Sequence, residues 1–228
     1  MSDNSTFEKL GRWLWSLLLV YLALLVLESA ACVAVIVALS GPAEVDLTDM
    51  QQTVTRSGLL TTGYSGYAQL AVFIVIAILF LRLLYKAVQR AKGFAVPFTY
   101  VSPGWAVGYW FIPLMNLYRP FQVVQALFAA CTQEAGPAAK PAAGEQLLGA
   151  WWGLFLLGNI ASRMLASSTT DLNSRIGIAD YAEYSIGCNL LIIAGALLFA
   201  LVIKRLVLAM GSTGHAATLP GGTTVAVR

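Results

Sequence analysis

Four long apolar runs constrain this chain more than any other feature of its sequence. They cover residues 13–39, 67–85, 147–165 and 184–203. A helix rises about 1.5 Å per residue, so about 20 residues are enough to cross a hydrocarbon core of roughly 30 Å. Each run has about that length. The sequence therefore predicts an all-α membrane protein with four transmembrane helices.

The composition supports this class and argues against others. Of the 228 residues, 58% are hydrophobic and 11% are charged, and the mean hydropathy is +0.74. Soluble domains carry about 25% charged residues. The formal net charge is only +3, and the basic residues lie beside the apolar runs rather than in a patch with exposed aromatic residues. We expect the lipid bilayer as the partner, and not nucleic acid.

The domain organisation follows from the same runs. Four spans and their short loops use most of the chain, so residues 1–210 are predicted to form a single membrane domain. The linker 133–145 is rich in Ala, Gly and Pro, and the tail 211–228 is rich in Gly and Thr. Both compositions are typical of flexible segments.

A fifth apolar segment, residues 104–131, does not qualify as a simple span. It contains Pro113, Pro120 and the charged Arg119. Proline removes a helical hydrogen bond, so the segment divides into two pieces that are each too short to cross a bilayer. We expect a proline-broken helical segment here, either as a re-entrant hairpin or as an interfacial helix pair.

Charge decides on which side this segment lies. Basic residues collect on the cytoplasmic side of membrane proteins. With four crossings, one side receives Lys9, Arg12, Arg82, Lys86, Arg90, Lys92, Lys204 and Arg205, and the other receives mainly acidic loops. A fifth crossing would move Lys204 and Arg205 outside. We therefore predict a multi-pass membrane protein with both termini and segment 104–131 cytoplasmic.

The stretch from Ser102 to Phe121 is the most unusual part of the chain. Trp105, Trp110 and two tyrosines are expected at the headgroup level, and Asn116 and Arg119 are expected to cap carbonyl groups that the prolines set free. Two interpretations stay open. The stretch is either an aromatic-anchored interfacial segment or a re-entrant element that contacts a substrate or lipid.

The run P-G-W-A-V-G-Y-W-F-I-P-L-M-N-L-Y-R-P-F-Q-V-V carries a resemblance to a known family. With the Trp pair that opens the next span, it resembles a bacterial family of uncharacterised integral membrane proteins, domain of unknown function 4328. The resemblance covers roughly residues 67–205; it supports the topology, implies a location in the bacterial inner (cytoplasmic) membrane and implies no activity. The resemblance implies ten signature positions, namely Pro103, Gly104, Trp105, Trp110, Phe111, Pro113, Asn116, Pro120, Trp151 and Trp152. We add Arg119 of the polar turn to this list.

Polar residues inside the spans form a second group of candidates. Counting about 1.5 Å per residue from the helix ends puts four of them at similar depths and a fifth somewhat nearer the exterior. The four are Glu28, Asn159, Arg163 and Asn189, and the fifth is Gln69. A charge in hydrocarbon is costly and usually faces the interior of a bundle, so we predict a Glu28–Arg163 ion pair within a polar layer. Three interpretations stay open: the layer is interhelical glue, or it is a site for a solute, ion or proton, or its charged side chains snorkel to the outer surface.

Signals for catalysis and for metal binding are missing. The sequence has no glycine-rich phosphate loop, no GxSxG and no HExxH, and its one histidine lies in the tail. We predict no catalytic residue, no metal site and no cofactor. Cys32 and Cys188 lie near the exterior ends of their helices, where a disulfide is geometrically feasible, although buried thiols are the commoner arrangement.

These observations favour a non-enzymatic membrane protein that acts as a partner subunit or an envelope-associated scaffold, with another protein or a second copy as its partner. One alternative is a small transporter or channel that uses the Glu28–Arg163 layer. A weaker alternative is an enzyme that acts on lipid.

Overall fold

A computed structural model describes residues 2–40, 49–95, 97–135, 144–167 and 174–212 of the chain. The predicted linker falls partly, and the predicted tail almost wholly, outside these residues. The described part contains six helices and no strand. The helices are α1 (Ser2–Leu39), α2 (Asp49–Ala91), α3 (Pro103–Gly108), α4 (Arg119–Glu134), α5 (Gly144–Ser167) and α6 (Arg175–Ser212).

Three of the described helices are long and apolar enough to cross a membrane, namely α1, α2 and α6. They contain 38, 43 and 38 residues, about twice the number that a bilayer core requires. The remaining predicted span, residues 147–165, lies within α5. This helix has 24 residues, and its Asn and Arg lower its mean hydropathy. The described part of the chain is thus all-helical, with helices of the type that spans membranes.

The helices extend well beyond the apolar runs that predict them. α2 begins at Asp49, 18 residues ahead of the run that starts at Tyr67, and α6 begins at Arg175, ahead of the run that starts at Tyr184. Hydropathy marks where a chain avoids water, whereas helical hydrogen bonding continues through polar residues until a breaker intervenes. Sequence therefore located these helices but underestimated their length.

The contacts within the chain group into two compact units. The first unit comprises residues 1–13, 79–148 and 201–228, and the second comprises residues 14–78 and 149–200. The first unit holds 11 of the 14 Lys and Arg residues and 4 of the 11 Asp and Glu residues, while the second holds 3 and 7. The first unit is therefore basic and the second is acidic.

The first unit is built on a dense apolar core. α4 contributes Val123, Val124, Leu127 and Phe128, whose spacing puts them on one face of the helix. The ends of α2 and α6 contribute further fully buried side chains. These include Leu83, Leu84, Val88, Ile203, Leu206 and Met210. Because its opposite face is more polar, α4 is amphipathic and packs by a single side.

The second unit has a more polar interior. Five polar residues are buried in it, namely Thr55, Thr62, Ser65, Ser185 and Asn189. The first three recur on one face of α2, and the last two lie one turn apart on α6. Hydroxyl groups of this kind bond back to their own helix, as Thr62 Oγ1 does to Gly58 O at 3.1 Å. Small polar residues let helices approach closely.

The proline-broken segment consists of α3, two 3₁₀ turns and α4. Ser102 caps α3 by accepting a hydrogen bond from Trp105 N at 3.3 Å, and Pro103 occupies the first turn, where it sacrifices no helical bond. The 3₁₀ turns cover Tyr109–Phe111 and Met115–Leu117. Helix α4 then begins at Arg119, with Pro120 in its first turn.

Gly58 lies where α1 and α2 pack closely in the second unit. A Cβ atom built on Gly58 would overlap Cγ2 of Val35, whereas nothing lies within 4 Å of a Cβ built on Gly63 of the same helix. Gly58→Ala should therefore lower the unfolding free energy by about 1–3 kcal/mol through overpacking. Gly63→Ala should leave it unchanged or raise it by up to about 1 kcal/mol, because alanine favours helix.

Unfolding in mixed micelles, followed by circular dichroism, measures both variants. Equal stability of the two alanine variants would show that α1 and α2 do not pack at Gly58.

Candidate functional site

The break between α3 and α4 satisfies its main-chain groups by local turns. Asn116 N donates to Ile112 O at 2.8 Å, and Tyr118 N donates to Met115 O at 3.2 Å. The expected side-chain caps are therefore not needed. Asn116 Oδ1 is buried without a hydrogen-bond partner, and Arg119 bonds other side chains instead of carbonyl groups. Among the described residues, no carbonyl group accepts a hydrogen bond from the side chain of Asn116 or Arg119, so the predicted capping role is wrong.

Arg119 forms the centre of a small polar network at the start of α4. Its Nη1 donates to the Tyr100 hydroxyl oxygen at 3.3 Å and to Gln122 Oε1 at 3.5 Å, and the Tyr100 hydroxyl donates to Gln122 Oε1 at 3.1 Å. The guanidinium carbon also lies 5.7 and 5.6 Å from the ring centres of Tyr109 and Tyr118. These distances are within cation–π range.

This network keeps a positive charge in place with neutral partners. The hydrogen bond to Tyr100 raises the pKa of Arg119, so its guanidinium is charged at every physiological pH. Its Nε is buried without a partner. Aromatic faces and amide oxygens fix the orientation of the side chain without neutralising it. Arg119 therefore presents a fixed cation at the edge of the segment.

The tip of the segment exposes large apolar side chains. Phe111 is 73% exposed and Leu114 is 77% exposed, and Leu117 and Trp105 are also exposed. Pro113 lies between the first two and is exposed as well. An apolar cluster of this kind, flanked by a fixed arginine, is typical of a surface that meets a membrane or another protein.

The signature tryptophans divide between exposed and packed positions. Trp105 is exposed, with its ring 5.6 Å from that of Tyr109. Trp110 is half-buried and meets Phe80 edge to face at 5.4 Å. Trp151 and Trp152 are buried in the second unit, where Trp151 stacks on Phe199 at 5.1 Å. Trp151 and Trp152 therefore pack in the core of the second unit and do not belong to the proline-broken segment.

The remaining signature residues have structural positions. Pro103 begins α3, and Gly104 beside it is exposed, with nothing near its missing Cβ. Pro120 is buried in the first turn of α4. None of them offers a chemical group, so their place in the motif follows from the shape of the turn.

Three residues of the predicted polar layer, Glu28, Gln69 and Asn189, form side-chain hydrogen bonds between helices. Gln69 Nε2 donates to Glu28 Oε2, which joins α1 to α2. Asn189 Nδ2 donates to Ser29 Oγ at 3.2 Å, which joins α6 to α1 one residue further on. Cys32 and Thr62 approach within 3.9 Å a turn later. Three helices of the second unit are thus tied together by side-chain hydrogen bonds around Glu28 and Ser29.

Two members of the predicted layer lie elsewhere. Asn159 and Arg163 are both exposed, and Asn159 Nδ2 donates to Phe155 O of its own helix at 2.7 Å. No ion pair between Glu28 and Arg163 occurs among the described residues. Counting residues from a helix end predicts depth but not the direction in which a side chain points, and α5 turns both residues outward. Glu28 pairs with Gln69 instead.

The three cysteines are free and buried. Burial raises the pKa of the Cys131 thiol to about 12, so this cysteine is a thiol and not a thiolate at neutral pH. Within the described ranges, no group of three or more His, Cys, Asp or Glu residues could hold a metal ion.

Comparison with known proteins assigns the family. Residues 46–207 match the domain of unknown function DUF4328. The chain belongs to this family. The match runs from the segment before α2 to the last part of α6, so it includes the motif, Gln69, Arg163 and Asn189, while Glu28 and Ser29 precede it. No curated protein and no solved structure matches the chain at a significant level.

Sequence reasoning missed three participants. Ser29 accepts a hydrogen bond from Asn189, and Thr62 contacts Cys32. Residue spacing does not predict either contact, because each depends on which helices pack together. Gln122, in contrast, lies three residues after Arg119, and this helical spacing could have identified it as a partner.

The hydrogen bond between Glu28 and Gln69 should couple the two residues energetically. Replacing both with alanine should cost less than the sum of the single replacements, by about 0.6 and up to about 1.7 kcal/mol. Unfolding free energies of the two single variants and the double variant in mixed micelles measure this coupling.

Arg163→Ala combined with Glu28→Ala serves as the control. These two changes should add within about 0.5 kcal/mol. A coupling of Glu28 to Arg163 as large as that to Gln69 would restore the ion pair and contradict the hydrogen bond between Gln69 and Glu28 as the main contact of this carboxylate.

Proposed function

We propose that the protein is a non-enzymatic, four-crossing protein of the bacterial inner membrane that works as a subunit of a larger membrane assembly, with a second copy as its first partner. The observation that carries this proposal is the exposed face of α5. Asn159 and Arg163 lie one turn apart on it, among the exposed apolar residues Ile160 and Met164. A charged and an amide side chain facing lipid are costly, whereas the same groups facing protein are stabilising.

The chemistry of these residues suits self-association. The amide nitrogen of Asn159 is already used on Phe155 O, which leaves Oδ1 as an acceptor. Arg163 offers donors only. In a two-fold dimer, Arg163 of each copy can donate to Asn159 Oδ1 of the other, and the arrangement is reciprocal by symmetry. Both groups are then removed from lipid.

The polar interior of the second unit supports a scaffold more than a transporter. Glu28 is bonded to Gln69, and Asn189 to Ser29, so these groups hold helices together. A transporter based on a Glu28–Arg163 layer would need Arg163 beside Glu28, and Arg163 is exposed.

Charge supports the orientation. The basic first unit contains the start of α1, the end of α2, segment 103–134 and the end of α6. Placing the first unit toward the cytoplasm satisfies the positive-inside rule and puts both ends of the described chain on that side. The exposed apolar tip around Leu114 would then lie in the cytoplasmic interface, with Arg119 at the level of the headgroups.

Self-association through α5 is testable in bilayers. Wild-type protein should form dimers that are detected by single-molecule photobleaching, and the double variant Asn159→Leu, Arg163→Leu should weaken dimerisation by about tenfold, as the loss of polar contacts worth about 1.4 kcal/mol would do. Arg56→Leu removes one charge at an exposed position of α2 and should have no effect. A monomeric wild-type protein would refute the proposal. An equal loss of dimerisation in the Arg56→Leu control would refute it as well.

The topology is testable with single cysteines in a background where Cys32, Cys131 and Cys188 are serine. A membrane-impermeant maleimide should label Gly222→Cys only in inside-out vesicles and Ser57→Cys only in spheroplasts. Leu114→Cys should react poorly from either side until detergent is added, because its apolar surroundings exclude the reagent. Labelling of Gly222→Cys from outside would contradict four crossings.

A further inference from the structure

A groove lies between the end of α2 and α3 in the first unit. Its volume is about 340 Å³, and it is lined by Leu81, Arg82, Tyr85, Lys86, Gln89 and Val107. Five of these residues follow one stripe along α2, and Val107 belongs to the family motif. A volume of this size is at the lower end of the range for small-ligand sites, roughly 300–1,000 Å³. The groove is open on one side.

The surface of the groove is mainly apolar, and two of its lining residues carry positive charges. Arg82 and Lys86 are one helical turn apart, so their side chains rise from neighbouring positions on the same face. No carboxylate lines the groove, and neither cation takes part in an ion pair among the described residues. Arg90, further along α2, differs, because its guanidinium lies 5.5 Å from the ring centre of Phe7.

The other lining groups complete a particular donor set. The Tyr85 hydroxyl and the Gln89 amide are neutral hydrogen-bond donors, whereas Leu81 and Val107 are apolar. A guanidinium fork beside an ammonium group matches the geometry and charge of a phosphate, which accepts several short hydrogen bonds at once. Cations that were only satisfying the positive-inside rule would need neither a concave wall nor neighbouring donors.

We propose that this groove binds a phosphate-bearing anion, held by Arg82 and Lys86 and oriented by Tyr85 and Gln89. The phosphate belongs either to an anionic lipid headgroup or to a free phosphate compound, and both present the same chemistry to the groove. All lining residues fall within the part of the chain that matches the family. The site does not depend on the dimer, since it uses no residue of α5.

Titration calorimetry on the full chain in a neutral detergent tests the proposal. Two probes separate the sources: phosphatidylglycerol in mixed micelles and inorganic phosphate in solution. The double variant Arg82→Gln, Lys86→Gln should weaken binding by about 30-fold, because each cation beside an anionic headgroup contributes roughly fivefold. The matched control Arg12→Gln, Lys204→Gln removes two exposed cations outside the groove and should change binding by less than about threefold.

A second variant guards against misfolding. Val107→Trp fills the groove without altering its charge and should weaken binding of the same probe to a similar degree. Circular dichroism and gel filtration verify the fold of each variant, and Val107→Trp decides the matter if the charge variant does not fold.

The two probes distinguish a lipid ligand from a free phosphate compound. Groove-dependent binding of phosphatidylglycerol but not of inorganic phosphate assigns the site to lipid, and groove-dependent binding of inorganic phosphate assigns it to a free compound. Equal losses in the groove and control double variants would reduce the effect to general electrostatics and overturn the proposal. Absence of binding to both probes, or full binding by Val107→Trp, would overturn it as well.

Discussion

The rest of this structure depends on how the main chain forms its hydrogen bonds. Away from water, each N–H and C=O group must find a partner in the protein, and a continuous helix supplies those partners within one segment. This requirement accounts for α1, α2 and α6, which run without interruption through their apolar runs. It also explains the form of the break after Gly108. There the chain closes into 3₁₀ turns, such as the one with the bond from Tyr118 N to Met115 O, so side chains are released from capping.

Side chains that do not cap the main chain are available to form the surface of the segment between α3 and α4. Because local turns satisfy the main chain, Arg119 is free to bond Tyr100 and Gln122 and to lie over aromatic rings. The cations of the first unit accordingly have different environments. Arg90 packs against Phe7 and Arg119 is oriented by neutral partners, whereas Arg82 and Lys86 line an open groove. A bias in charge that is needed for orientation can thus also provide distinct local sites.

The helical class and the positions of the long helices were predictable, because both depend on hydropathy along one dimension. The break was predictable from Pro113 and Pro120 for a similar reason, since proline acts locally. Helix ends were not, because the polar residues after Asp49 stay helical without an apolar signal. The partner of Glu28 was not predictable either. Residues at one depth on four helices can point in many directions, and only packing decides that Gln69 meets Glu28 while Arg163 points outward.

The limits of the family match bear on where a shared function can reside. The match begins at residue 46, so the carboxylate of Glu28 lies outside it, while its partner Gln69 lies inside. A role for the charge of Glu28 therefore does not follow from membership of the family. The motif segment, the groove beside Val107 and the exposed pair on α5 all lie within the match. Their chemistry consists of cations, amides and aromatic rings, which bind anions and other helices. The proposed anion site and the proposed contact between copies therefore both consist of residues inside the match.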